Sequence, residues 1–396
     1  MELRSLVNDN ECHIVLLVMD GLGGYADHEF DSELEQARTP NLDQLAAEGA
    51  CGLALPAGPG ITVGSGPGHL ALFGYDPFEF ELGRGVLSAV GLEFDLQPGD
   101  VAARGNLALL DADGRITDRR AGRIGDEPAR AIVDKLRDGV RVDGAEVFFE
   151  HESEHRVLMV LRGEGLDPRI DDLDPQHEGV PPREPVARVP EAKRTADLLA
   201  QVDAAIRDAL VGEAADVLLL RGFDTLQELP QMQDRFGVTP ATVAIYPMYR
   251  GVAKLVGMTP LEVGHSLEAQ IDTMRANWAG FDYFFMHHKE TDRAGHDGER
   301  DAKVAAIEAV DAIVPDLVAL EPDVLVVSGD HSSPTQLAAH SWHPVPTLMW
   351  GPRVGRDDVA RFGERACTGG LLGERRTQDL MPLMLAAAGR LEKYGA

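Results

Sequence analysis

A chain of 396 residues is long enough for two domains and a large buried core. Lys and Arg number 37 against 66 Asp and Glu, a formal net charge of −29 that excludes a nucleic-acid binder with a basic footprint and electrostatic docking on an anionic membrane. Three scattered cysteines, Cys12, Cys51 and Cys367, lack CxxC spacing, so they form neither a disulfide framework nor a zinc ribbon and suit a reduced cytoplasm.

Taken in chain order, "HIVLLVMDGLGG" reads as a buried strand that ends in an acidic turn at Asp20. The run is too short for a signal sequence or a membrane span. "TPNLDQLAAEGA" follows as a helix with a capping residue and a terminal glycine. "VGSGPGHLALFGYDP" is a glycine-rich loop opening into a helix, with Ser65 at its centre. From about residue 75 to 230 the texture changes to alternating strand-like pieces, such as "EVFFEHESEHRVLMVLRG", and a proline-rich loop, "DLDPQHEGVPPREPVARVP". This stretch is expected to be a smaller α+β domain, 75–230, inserted into a first domain made of 1–74 and 231–396. "FDYFFMHHKETD", "DVLVVSGDHSS" and "VPTLMWG" are further short apolar runs, with "RDAKVAAIEAVDAIVPDLVAL" as a helix among them. Strands alternating with helices predict an α/β sheet sandwiched by helices.

In such a sheet the ligand site lies beyond the carboxyl ends of the strands. Polar clusters follow three of the runs, at Asp20, Asp292 and Asp330, and would meet at one sheet edge. Asp292 and His296 in "KETDRAGHDG" stand four apart, on one face of a helical turn. A carboxylate and an imidazole so placed suit Mn²⁺ or Zn²⁺. "SGDHSS" supplies Asp330 and His331, and "AAHSWHPVP" supplies His340 and His343. Each taken singly is also an ordinary turn, cap or surface residue. Together they suffice for two metal centres, which can clamp the attacking and leaving oxygens of a phosphoryl transfer. Ser65 is then the candidate nucleophile, with the loop's backbone N–H groups as a phosphate cradle. The stretch is neither a G-x-S-x-G elbow nor a Walker A loop.

The ordered set "VMDGLGG", "GSGPGHLALFGYDP", "ARGNLA…DRRAGRI", "TDRAGHDG", "GDHS" and "H…PVP" resembles the cofactor-independent phosphoglycerate mutases of the archaeal-type branch, within the alkaline phosphatase superfamily. The resemblance runs through nearly the whole chain, to "LMLAAAGRLEKYGA". It implies an alkaline-phosphatase-like sheet and a site holding two divalent cations: Mn²⁺ first, with Mg²⁺, Zn²⁺ and Co²⁺ as alternatives. Asp20, Ser65, Asp330 and His331 match the ligands of one cation, and Asp292, His296 and His340 those of the other. Ser65 matches the phosphorylated serine, and His69 is expected to support its loop. The implied reaction interconverts 3-phosphoglycerate and 2-phosphoglycerate in the cytoplasm, without 2,3-bisphosphoglycerate. Such a substrate needs cationic partners, for which arginine forks suit. Arg104 and Asn106 in "ARGN", Arg119, Arg120 and Arg123 in "DRRAGR", and Arg221 in "LLLRG" are the expected set, with Lys254 at the family's basic position. Glu290, in a place where the family commonly carries glycine, either tunes the cations or faces solvent. The rival readings are a phosphatase, phosphonate hydrolase or phosphopentomutase of the same superfamily, and a non-catalytic homologue.

Overall fold

The computed structural model describes residues 3–395. The chain divides into two compact units, 1–81 with 229–396 and 82–228. In chain order the first unit begins with strands β1 (Ile14–Met19) and β2 (Ala50–Leu55). The second holds β3 (Val101–Leu110), β4 (Ile116–Asp118), β5 (Glu146–Ser153), β6 (Arg156–Arg162) and β7 (Val217–Asp224). The first resumes with β8 (Pro240–Thr242), β9 (Thr259–Pro260), β10 (Tyr283–His288), β11 (Val324–Ser328), β12 (Val345–Trp350) and β13 (Gly373–Arg376).

The sheet of the first unit runs β13-β2-β12-β11-β1-β10-β8-β9. Its centre, β11-β1-β10-β8, is parallel, and β12 pairs antiparallel to both β11 and β2. Every residue of β1 and β11 is buried, as are the first five of β10. Strands covered on both faces read as unbroken apolar runs, which is how these three stood out in the sequence. The α/β class expected from that alternation is the one found. Among the described helices, none is long and apolar enough to cross a membrane.

The second unit is an antiparallel sheet in which β3 pairs with β6 on one side and with β7 and β4 on the other. One face, with Ala103, Leu107, Val157, Met159, Leu218 and Leu220, packs against two helices. The helix Asp126–Gly139 buries Ala129, Ile132, Val133 and Leu136, an i, i+3, i+4, i+7 stripe. The helix Lys193–Leu210 covers the rest of the same core. Because strand side chains alternate, Arg104 and Asn106 project from the opposite face of β3. The proline-rich stretch after β6 holds no helix or strand up to residue 189, apart from the isolated bridge Ile170–Ala187.

Candidate active site

β1 lies between β11 and β10, with Val18 beside Ser328 and Met19 beside His288. The three carboxyl ends are therefore level, and Asp20, the 289–297 segment and the 329–333 turn leave the sheet together. The turn after Asp20 depends on Gly21, whose φ is 61°. A Cβ there would lie 2.6 Å from Ser333 Oγ and 2.8 Å from Asp292 Oδ1. Asp20, Asp330 and His331 are fully buried, and Asp292 nearly so.

Four groups converge from three chain segments. His331 Nε2 is 3.1 Å from Asp330 Oδ2, 3.2 Å from Ser65 Oγ and 3.5 Å from Asp20 Oδ1. Asp20 Oδ1 and Asp330 Oδ2 are buried and accept no well-aligned hydrogen bond. Ligands about 2.1 Å from a tetrahedral cation stand about 3.4 Å apart, so this spacing and these bare oxygens fit a divalent cation. A second group adjoins it. Asp292 Oδ1 is 3.7 Å from His296 Nε2 and 3.6 Å from His340 Nε2. Asp292 belongs to both possible cation groups, since it also lies with Asp20 and His331. His296 reaches it because the helix Glu290–Asp297 places residues four apart on one face.

The backbone decides which histidine nitrogens face inward. A carbonyl only accepts, so His340 Nδ1 donates to Val63 O at 2.8 Å and its bare Nε2 faces Asp292. His69 Nδ1 likewise donates to Ser65 O at 2.8 Å, which ties the first turn of the helix Ser65–Leu72. The same nitrogen lies 3.2 Å from Asp330 Oδ2. His69 thus braces the serine's turn. Gly68 is explained by packing, since a Cβ there would stand 2.3 Å from Asp330 O. The helix can approach the carboxylate turn only without a side chain at that point. His343 turns away from the cluster to Ser341 Oγ at 2.9 Å and stacks on Tyr25 and Trp342.

Three residues around the cluster had not been anticipated. His287 Nε2 lies 3.0 Å from Asp20 Oδ2 and donates to it. Lys289 Nζ donates to Asp20 Oδ2 at 3.1 Å, Asp292 Oδ2 at 2.6 Å and Tyr249 Oη at 2.8 Å, which uses all three of its protons. Tyr249 is buried and stacks on His287 with centroids 3.8 Å apart. Burial opposes ionisation of Asp20, yet Lys289 and His287 hold its carboxyl well below the usual carboxylate range. Burial pushes His287 down to about 4 despite the pull of Asp20, so it is neutral. Lys289, by contrast, is raised by Asp20 and Asp292 against its own burial. The cation at the cluster is this lysine. Lys254 is exposed near the end of the helix Pro247–Leu255. Glu290 is paired with Arg293 on the helix surface and faces solvent.

In the second unit, β3 sets Arg104 opposite Arg221 of β7 and Asn106 opposite Arg156 of β6. The two guanidiniums and the amide share one face. Arg104 Nε, Arg221 Nε and Asn106 Oδ1 are buried without hydrogen-bond partners. Burial pushes Arg104 down to about 10, with Arg221, Arg84 and Arg156 adding to the effect. Bare donors on crowded cations are of the kind that pair with a carboxylate or phosphate, and Arg221 Nε also lies 3.7 Å from Asp174 Oδ2. Arg119 is committed elsewhere: its Nε and Nη2 clasp the buried Asp174 at 3.1 and 2.5 Å. Arg120 and Arg123 are exposed in a turn held by Asp118, whose carboxylate accepts from Arg120 N and Gly122 N.

A serine at a helix N-terminus, among carboxylates and imidazoles at the carboxyl edge of an α/β sheet, has the form of the metal-dependent phosphotransferases that work through a serine. Comparison with known proteins is more specific. A family profile for 2,3-bisphosphoglycerate-independent phosphoglycerate mutase matches residues 46–214. A probable enzyme of that name from Thermus thermophilus is 47% identical over 400 residues, covering 100% of this chain and 98% of the relative. One from Aquifex aeolicus is 45% identical over 404 residues, covering 100% and 99%. Among solved structures, a Pyrococcus horikoshii protein superposes with a TM-score of 0.81 at 29% identity, covering 98% of this chain and 100% of that one. The cofactor-independent phosphoglycerate mutase of Thermoplasma acidophilum gives 0.72 at 26% identity, covering 96% and 100%. The chain belongs to the 2,3-bisphosphoglycerate-independent phosphoglycerate mutase family.

Proposed function

We propose that this chain interconverts 3-phosphoglycerate and 2-phosphoglycerate through a phosphoserine at Ser65, using two divalent cations and no 2,3-bisphosphoglycerate. The observation that carries the reading is the convergence of Ser65 Oγ, Asp20 Oδ1 and Asp330 Oδ2 on His331 Nε2, each 3.1–3.5 Å away. Asp20, Ser65, Asp330 and His331 would hold one cation, and Asp292, His296 and His340 the other. Bound there, the cations supply charge neutralisation for the transferring phosphoryl group. The mixed carboxylate and imidazole donors suit Mn²⁺.

Ser65 Oγ bonds to phosphorus as the ester bond to glycerate breaks, and the proton leaving Oγ is made good on the departing glycerate hydroxyl. The free N–H groups at the start of the helix Ser65–Leu72 face the new phosphate. Glycerate then presents its other hydroxyl, and the same bonds are exchanged in reverse. We assign its carboxylate to the arginine face of β3 and β7, where Arg104 and Arg221 have donors to spare. Arg120 and Arg123 stand in an exposed turn from which a mobile anion can be met, and Arg119 orders the site through Asp174. We place the reaction in the cytoplasm, in keeping with three buried cysteines that are all unpaired.

Phosphorus NMR of Mn²⁺-treated protein with 3-phosphoglycerate, the metal chelated before spectra are taken, tests the proposal. A 2-phosphoglycerate signal growing to a fixed ratio is expected. Release of inorganic phosphate instead would make the chain a phosphatase with the same serine.

A further inference from the structure

Ser333 is fully buried, and its hydroxyl touches both cation groups. Ser333 Oγ is 2.6 Å from Asp292 Oδ1 and 3.1 Å from His331 Nδ1. A hydroxyl has one proton to give, and a carboxylate can only accept. The proton therefore goes to Asp292, and the contact with His331 must run the other way, from Nδ1–H to Ser333 Oγ. This single assignment has two effects. It leaves His331 Nε2 with its lone pair directed at Ser65 Oγ, Asp20 Oδ1 and Asp330 Oδ2. It also pins Asp292 Oδ1, the oxygen nearest His296 and His340.

The serine has no freedom to do otherwise. Its backbone N–H donates to Gly23 O at 3.0 Å, and its carbonyl accepts from the buried Lys303 Nζ at 2.8 Å. Lys303 also donates to Gly21 O at 2.9 Å, so the turns after β1 and β11 hang from one ammonium. Two glycines make the slot: a Cβ at Gly21 or at Gly295 would lie 2.9 Å from Ser333 Cβ.

We infer that Ser333 is a positioning residue that couples the two cation groups, by fixing the tautomer of His331 and the orientation of Asp292 through one hydroxyl. The inference rests on the two-cation reading of the site. Groups that orient a metal ligand in this way are worth about 10- to 100-fold in metal affinity. A residue serving one group would weaken one binding step, whereas a shared relay weakens both.

The test is titration of chelator-stripped protein with Mn²⁺ alone, free Mn²⁺ being read by electron paramagnetic resonance. Wild type is expected to take up two ions. Ser333→Ala is expected to weaken both steps by about 10- to 100-fold, with a metal-free melting transition close to that of wild type. Weakening of one step only, or of neither, overturns the coupling while leaving the cation site in place. A wild-type chain that takes up no Mn²⁺ overturns the site reading itself. If Ser333→Ala does not fold, nitrogen-15 NMR of the metal-free wild type decides, with His331 assigned through His331→Gln. The coupling requires the proton on Nδ1, and finding it on Nε2 refutes it.

Discussion

Replacing Gly68 by alanine asks how tightly the serine-bearing helix is pinned to the carboxylate turn. The new Cβ would stand 2.3 Å from Asp330 O, 3.0 Å from its carbonyl carbon and 3.1 Å from its Cβ, where ordinary contact begins at 3.4 Å. Helix and turn must then separate by about 1 Å. Two of the three opposing atoms are backbone, so no rotamer change absorbs the shift. Overpacking of this kind costs about 1–3 kcal/mol. The same displacement carries Ser65, three residues earlier on the helix, away from His331 Nε2. A misplacement of about 1 Å in a reacting group costs on the order of 100-fold in rate. Gly68→Ala is thus expected to lose about 1–3 kcal/mol in urea unfolding followed by circular dichroism, and about 100-fold in kcat in an enolase-coupled mutase assay. Gly64→Ala is the stability control, because a Cβ there meets nothing within 4 Å. Wild-type stability and turnover in Gly68→Ala would show that close approach of helix and turn is not what positions the serine.

Three further outcomes follow from the geometry. Ser65→Ala should reduce interconversion to background while Mn²⁺ uptake measured by equilibrium dialysis persists; appreciable turnover in that variant would remove the serine from the reaction. Arg104→Met should lower kcat/KM by about 10- to 150-fold, the worth of one charge-assisted hydrogen bond, without lowering the melting temperature, since it relieves a crowd of like charges. An unchanged kcat/KM would free the arginine face from the substrate. His155 is buried, and burial with Arg156 beside it pushes its pKa down to about 4. Below its usual value of about 6.5 the unfolded chain binds this proton and the folded one does not, so stability falls as pH drops from about 6.5 to about 4. His155→Gln should flatten that part of the stability profile in urea melts at stepped pH, and a profile parallel to wild type would refute the shift.

The parts of this protein that could be read from the chain are those fixed by short-range pattern. The runs at residues 14–19, 283–288 and 324–328 announce themselves as buried parallel strands, and the polar residues just after each had to face one edge. Asp292 and His296 were legible because helical spacing alone puts them together. The supporting groups were not, because nothing local marks them. His287 looks like one of two histidines closing an apolar run, and only pairing with β1 shows that it reaches Asp20. Tyr249 sits in a helix like any core aromatic. Lys289 carried the one usable signal, an i, i+3 relation to Asp292, but family position pointed to Lys254, which is exposed. In the second unit the pairing of Arg104 with Arg221 is a matter of strand register, which 116 intervening residues conceal. Within "DRRAGR", what sets Arg119 apart from the exposed Arg120 and Arg123 is its contact with Asp174, 55 residues further on.

The convergence on His331 also sets when the site comes into being. Ser65 and His331 lie 266 residues apart, and Asp20 and His287 lie 267 apart. In chain order Asp20 and Ser65 come first, the imidazoles of the candidate cation groups begin only at His296, and His340 is the last of them. On the two-cation reading, no local stretch of the chain carries the site by itself: its donors become neighbours only when β1, β10 and β11 lie side by side.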